Sequence, residues 1–425
     1  MKILFDKTQV LGHGECYIAV EDEYITYIGK ERPEGQFDRI INTQNKLVCP
    51  GLYNCHTHSP MQFLRGFGED LPLDRWLNER IFPAEEKLTP EIVETCSAFA
   101  IAEMIKNGIC SFSDMYYFCD RTAEEVGKSG IKANVSRSIV SFDNNADFKN
   151  DGRFKESVEL YEKYHNSFDG RLKIDFSLHA EYTNVSGMTK FCADYARGKD
   201  VSFQIHLSET EKEHNECIAR HGVTPLGFFE KNGILENPVS FAHCVWVTDE
   251  DIEKLAKYNS TAVHNPASNL KLGSGIMPLS KMLAKGVNVA LGTDSSASNN
   301  TLDILKEIYL AAILQKGSDR DPASIKADQI VKLATENGAK SQRRENCGKL
   351  EVGYKADIIM IDVDSINNIP SYSPVYTLVY SSNSSDVCFN MVDGKILYEN
   401  GEFKTLDIEK LKVEMKKISS GFSCI

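Results

Sequence analysis

The chain has 425 residues, of which 42% are hydrophobic and 26% charged, enough apolar material for a folded protein with a large core. Lys and Arg number 48 against 61 Asp and Glu, a formal charge of -13, which excludes a global nucleic-acid-binding footprint. No apolar run reaches the ~18 residues of a membrane span, and Asp6 and Lys7 fall where a signal peptide needs its apolar segment, so the expected compartment is the cytoplasm.

In chain order, the first element of the core is an apolar run, Val48 to Thr57, within VCPGLYNCHTHSP. Side chains alternate along a strand, so Asn54, His56 and His58 share one face while Cys55 and Thr57 face the other. Short β-branched runs then recur at Ile109–Asp114, Lys132–Val140, Leu172–His179, Val201–His206, Val239–His243, Thr261–His264 and Asn288–Gly292. Helical patterns lie between them, among them 90–106, with Thr89 as N-cap, and 278–285. Eight strands, each followed by helical sequence, predict an α/β fold of the TIM-like (β/α)8 barrel kind over residues 51–347. Residues 2–50 and 350–400 carry short runs with hairpin spacing, at Cys16–Val20, Tyr24–Gly29, Asp357–Asp362, Val387–Val392 and Lys395–Tyr398. Neither end has enough strands to bury a core alone, so residues 1–50 and 348–425 are expected to build one small β-sandwich. The stretch 371–385 reads as irregular.

Active sites of such barrels lie at the C-terminal ends of the strands. Those ends are polar here: His56, His58, Asp114, Arg137, His179, His206, His243, His264 and Asp294. Six of the ten histidines sit there, leaving His13, His165, His214 and His221 for the surface. Convergent imidazoles and carboxylates are what a metal site requires, and His56, His58, His206 and Asp294 can hold one divalent ion with a position open for water. Glu209, three residues past His206, is close enough to carry a proton without being a ligand. The twelve cysteines are scattered and form no CxxC pair, which predicts reduced, mostly buried thiols. It also removes the PCxxC half of the nucleobase deaminase signature, whose HxE half His179-Ala180-Glu181 happens to match.

CPGLYNCHTH, IHLSET, AHCV, HNPASNLKLGSG and LGTDSSASNN, in this order, resemble the signatures of the amidohydrolase superfamily. Within it they are most similar to the branch that deaminates S-adenosylhomocysteine and 5′-methylthioadenosine. The resemblance runs over essentially the whole chain and includes GKLEVGYKADIIMID, a returning strand of the family's β-sandwich. It implies one divalent ion, zinc first, with iron or manganese also compatible with three histidines and an aspartate. It implies His56, His58, His206 and Asp294 as ligands, His243 as the group that helps polarise the attacking water, and Glu209 as the proton shuttle. His179 ends strand four where two-metal relatives carry a modified lysine, which implies a single metal and a contact to the purine. Glu85 matches the acid that binds ribose hydroxyls, with Glu86 as the alternative if the register shifts. Arg137 and Arg153 match arginines near the amino-acid carboxylate of S-adenosylhomocysteine. Lys271 receives no role.

The implied reaction is hydrolytic deamination at C6 of an adenosine-type nucleoside, Asp294 taking a proton from the attacking water and Glu209 delivering one to N1 before ammonia leaves. The partner is then a small-molecule nucleoside, with no nucleic acid or membrane and with a homo-oligomer permitted. A relative acting on guanine, an oxidised purine or a chlorotriazine would keep the metal set and change the pocket. A non-catalytic barrel serving as a binding module would have lost ligands, and this chain keeps them all.

Overall fold

The computed structural model describes residues 1–422. Eight parallel strands form the barrel sheet: β1 (Leu52–Thr57), β2 (Ile109–Tyr116), β3 (Lys132–Ile139), β4 (Leu172–Leu178), β5 (Phe203–Leu207), β6 (Val239–His243), β7 (Thr261–His264) and β8 (Asn288–Leu291). The main helices that follow them in turn are α1 (Pro90–Lys106), α2 (Cys119–Ser129), α3 (Gly152–Tyr164), α4 (Ser186–Ala196), α5 (Glu211–His221), α6 (Asp249–Lys257), α7 (Leu279–Ala284) and α8 (Ile304–Asp319). α1 starts where its sequence directs: Pro90 takes the first helical position and the Thr89 hydroxyl accepts the Ile92 amide at 3.4 Å.

Strands covered on both faces read as continuous apolar runs, and β2 is buried along its whole length. Phe112, Phe176, Phe203 and Phe241 are fully buried, each contributing about 1.5–3 kcal/mol by leaving water. Parallel register then levels the strand ends, pairing Leu207 with His243 and His264 with Leu291. β8 and β1 meet through side chains as well as backbone. Asn54 donates to the Thr293 hydroxyl at 2.7 Å and accepts its amide at 3.0 Å, and the Asp294 amide donates to the His56 carbonyl at 2.9 Å.

The expected first strand is in fact two. Lys46–Pro50 belongs to the terminal sheet and Leu52–Thr57 to the barrel, with the break at Gly51. A Cβ there would lie 2.8 Å from the Cys110 side chain, so only glycine lets the chain pass between the two sheets.

The expected sandwich strands all form, and they join one hydrogen-bonded sheet of nine strands. Its seam is the antiparallel pairing of Lys46–Pro50 with Ile358–Asp362, which stitches the two ends of the chain together. The sheet curls over itself: Phe5 and Phe389 come from strands three places apart in the order, yet their rings meet edge-on at 5.6 Å. The stretch read as irregular, 371–385, contains a helix, Pro374–Tyr380, whose Tyr380 hydroxyl accepts from Lys316 of α8 at 2.6 Å. At seven residues it is too short for a helical period to stand out, and packing of Leu378 and Val379 stabilises it. The last helix, α9 (Ile408–Phe422), lies against α1, with Phe422 packed on Phe63. The eleven described cysteines are all free, nine of them buried. Among the described residues no helix is long and apolar enough to cross a membrane.

Candidate active site

The strand ends bring four imidazoles and a carboxylate into one buried cluster. Asp294 Oδ1 lies 3.3 Å from His58 Nε2 and 3.5 Å from His56 Nε2, and His206 Nε2 lies 3.3 Å from His58 Nε2. The ring of His243 stacks on that of His206 at 5.5 Å. The backbone that delivers these groups is left-handed at Ser208 (φ 46°), His243 (φ 71°) and Asp294 (φ 61°), conformations that non-glycine residues adopt only where the surrounding structure enforces them.

The far side of three of the four rings is occupied. His58 Nδ1 donates to the Met115 carbonyl and His206 Nδ1 to the His179 carbonyl, both at 2.7 Å. His243 Nδ1 donates to Asn269 Oδ1 at 2.8 Å. These bonds set the tautomers and leave the Nε2 atoms facing inward, the usual outer support of metal-binding histidines. Asp294 Oδ2 accepts from Ser268 at 2.6 Å and Ser298 at 2.8 Å, so Oδ1 is the oxygen turned to the cluster. His56 Nε2 is fully buried and makes no hydrogen bond. A buried polar atom left unpaired is costly, and inward lone pairs around an orphan nitrogen fit a cation.

Burial lowers His56 to about 4, and burial with repulsion from neighbouring imidazoles holds His206 far below its ordinary value, so both stay neutral donors. Against the same burial, Asp294 raises His58 to about 9, and Asp294 itself is held well below the carboxylate range by His56 and His58. Glu209 faces this cluster, its Oε2 3.8 Å from His243 Nε2 and its Oε1 accepting from Ser274 at 3.1 Å. Burial, aided by the nearby Asp294 charge, raises its pKa.

A cavity over the cluster is lined by His58, His179, His206, Glu209, His243 and Asp294, and roofed by Leu73, Trp76, Leu77 and Ile81. Glu85 is in its wall, accepting from the Tyr116 hydroxyl at 2.7 Å, and burial lifts its carboxyl to about 7. Phe82, Glu85 and Tyr117 also face a second cavity of about 800 Å³. Glu86 is exposed and lines only that second space, which separates it from Glu85. Burial, with repulsion from His58, holds His179 neutral at about 4.

Arg137 lines the second cavity. It is stacked over Tyr117 at 4.9 Å, its Nε donates to Glu156 at 2.5 Å and its Nη1 to the Ser138 carbonyl at 2.6 Å. Arg153 is exposed on the first turn of α3 and does not line that space, although its charge reaches the Tyr117 hydroxyl. Asp114 accepts the Ser59 amide at 2.5 Å and the Thr57 hydroxyl at 2.8 Å, supporting the end of β1. His264 is buried beside His243 and lies outside the cavity lining. Lys271 pairs with Glu69 at 2.6 Å and donates to the Ala297 carbonyl at 3.2 Å, tying three loops of this face together. Sequence reasoning passed over Tyr116, Ser268, Asn269 and Ser298, which orient the polar groups. The two serines and the asparagine lie inside quoted motifs, but only the fold shows which group each one holds.

The amidohydrolase family model matches residues 47–397. This chain belongs to that family. A 5-methylthioadenosine/S-adenosylhomocysteine deaminase of Caldicellulosiruptor saccharolyticus is 43% identical over 380 residues, covering 89% of this chain and 87% of that protein. One of Dictyoglomus turgidum is 40% identical over 421 residues, 98% of each. Among solved structures, an adenosine deaminase from Xanthomonas campestris with bound zinc superposes with a TM-score of 0.94 at 28% identity, covering 100% of this chain and 99% of that one.

Proposed function

We propose that this amidohydrolase is a mononuclear metal-dependent aminohydrolase that converts 5′-methylthioadenosine, S-adenosylhomocysteine and related adenosines to their inosine analogues and ammonia. The observation that carries this is the inward convergence of His56, His58, His206 and Asp294 on an orphan nitrogen, with a buried acid, Glu209, beside it. The named relatives supply the substrate class. These four residues are the proposed ligands, and zinc is the expected ion, as in the Xanthomonas deaminase. A divalent ion there supplies Lewis acidity and lowers the pKa of water toward neutrality.

The protein's own groups do the rest. Asp294 has one oxygen held by two serines and one facing the cluster, and so receives the proton of the attacking water. Glu209, whose carboxyl burial raises above its ordinary value, delivers a proton to N1. His243, fixed by Asn269, orients the water and the developing tetrahedral centre. Neutral His179 hydrogen-bonds the purine edge, and Glu85 accepts both ribose hydroxyls. The 5′ substituent then extends past Phe82 and Tyr117 into the larger cavity, where Arg137 meets a carboxylate. The inner cavity is narrow, about 90 Å³, so its roof over Leu73–Glu85 moves outward to admit the base. The chemistry is assigned to residues 51–347, with 1–50 and 348–425 as the supporting unit.

Purified, metal-analysed protein is incubated with 5′-methylthioadenosine, S-adenosylhomocysteine, adenosine, adenine and guanine, and ammonia release is scored. The nucleosides react and adenine reacts poorly, because Glu85 is left without its donors. Efficient turnover of guanine or of a free base overturns the proposal.

A further inference from the structure

We infer that Glu213 is a positioning residue for this deamination, acting through Glu209. The inference rests on Glu209 being the proton carrier. Glu213 is in the first turn of α5, is buried, and directs its carboxylate back at the loop leaving β5. Its Oε1 accepts the Ser208 amide at 2.9 Å and its Oε2 accepts the Glu209 amide at 2.8 Å. One carboxylate thus grips two consecutive backbone N–H groups, including that of the proton carrier.

The grip falls where the chain needs it. Ser208 is left-handed at φ 46°, a conformation that puts its backbone under strain and turns the chain so that Glu209 faces the cluster. Every polar group of Ser208 is held. Its carbonyl accepts the amides of Val245 and Trp246 at 3.1 and 2.9 Å, and its hydroxyl meets His214 Nδ1 at 3.1 Å. The first two contacts join the loop of β5 to the loop of β6, which carries His243, so the 3.8 Å separation of Glu209 and His243 is set by this clamp. The opposite end of the helix turn is closed by Thr210, whose hydroxyl accepts the Glu213 amide at 3.2 Å. Two parallel amide bonds to one carboxylate are charge-assisted and directional, and they fix an angle as well as a distance. Proton transfer tolerates little misplacement, and an error of about 1 Å costs about 10²-fold.

Glu213→Gln keeps the shape but turns an NH2 group toward one of the two amides. With 5′-methylthioadenosine as substrate, kcat falls about 10–100-fold, while KM and bound metal stay at wild-type values. In a Glu209→Gln background the same change produces no further loss, because the group it positions is gone. A role confined to folding lowers both backgrounds by the same factor. Multiplicative losses in the double variant, or a wild-type kcat for Glu213→Gln, overturn the inference while leaving the deaminase assignment intact. A wild-type rate for Glu209→Gln removes the proton carrier and this inference with it. If Glu213→Gln does not fold, Glu213→Asp, too short to reach both amides, is measured in the same cycle.

Discussion

The barrel has a buried charged cluster at each end, and the two are built in opposite ways. At the N-terminal end Lys132 Nζ lies 2.6 Å from Asp357 and 2.8 Å from Asp393, and Asp357 also accepts the Asp393 amide at 3.0 Å. Against the cost of burial, the two carboxylates hold the lysine above its ordinary pKa. Both carboxylates are ion-paired with the one lysine there, within the protein. At the C-terminal end His56 Nε2 is left without a hydrogen bond, and left-handed backbone holds Asp294 and His243 in place. Burial and polarity are common to both ends, so they do not distinguish a site. What distinguishes it is closure, because a cluster satisfied by its own members has no free valence for a ligand or a proton.

The largest expected effect follows from opening the upper cluster. Asp294→Ala loses bound metal and drops ammonia release to background. Elemental analysis checks it, and full metal occupancy would take Asp294 out of the ligand set. Opening the lower cluster has the complementary result. Lys132→Met leaves two buried carboxylates uncompensated and costs about 3–5 kcal/mol in urea unfolding, with kcat/KM of the folded protein unchanged. A loss of turnover at an unchanged urea midpoint would erase the contrast between the ends.

Arg137 tests an intermediate case, an ion pair already closed by Glu156 yet facing a cavity. Arg137→Ala lowers kcat/KM for S-adenosylhomocysteine about tenfold and spares 5′-methylthioadenosine, which has no carboxylate. Arg153→Ala, at an exposed position, has the smaller effect, and equal losses on both substrates would make these arginines supports of the fold. The last effect is on stability alone and concerns Glu307, an upper-face acid that is closed, accepting the Ala267 amide at 3.0 Å and Asn299 Nδ2 at 2.8 Å. Burial raises its carboxyl to about 7. The folded state therefore binds more protons than the unfolded state between pH ~4.5 and ~7, and stability falls as pH rises through that window. Glu307→Gln flattens this fall by about 1–3 kcal/mol, read from urea midpoints at both pH values, and an unchanged slope would show that Glu307 titrates normally.

The amino-acid sequence by itself determined the eight strand–helix repeats, because apolar runs bounded by polar turns are a local property. It also determined that His56 and His58 share a face, since side-chain alternation needs only neighbouring residues. The ordered motifs extended this to the remaining polar strand ends. Three matters were decided only by the tertiary structure. The break at Gly51 depends on how close Cys110 comes from another strand. The joining of the two chain ends was expected from each end's shortage of strands, but its form, one continuous sheet with its seam between Lys46–Pro50 and Ile358–Asp362 more than 300 residues apart, was not. The separation of Glu85 from Glu86, of Arg137 from Arg153, and the grip of Glu213 on two amides are matters of distance and direction between elements. Residue type and spacing carry composition and period, but a hydrogen bond or a shared cavity is set by where two distant backbones come to rest.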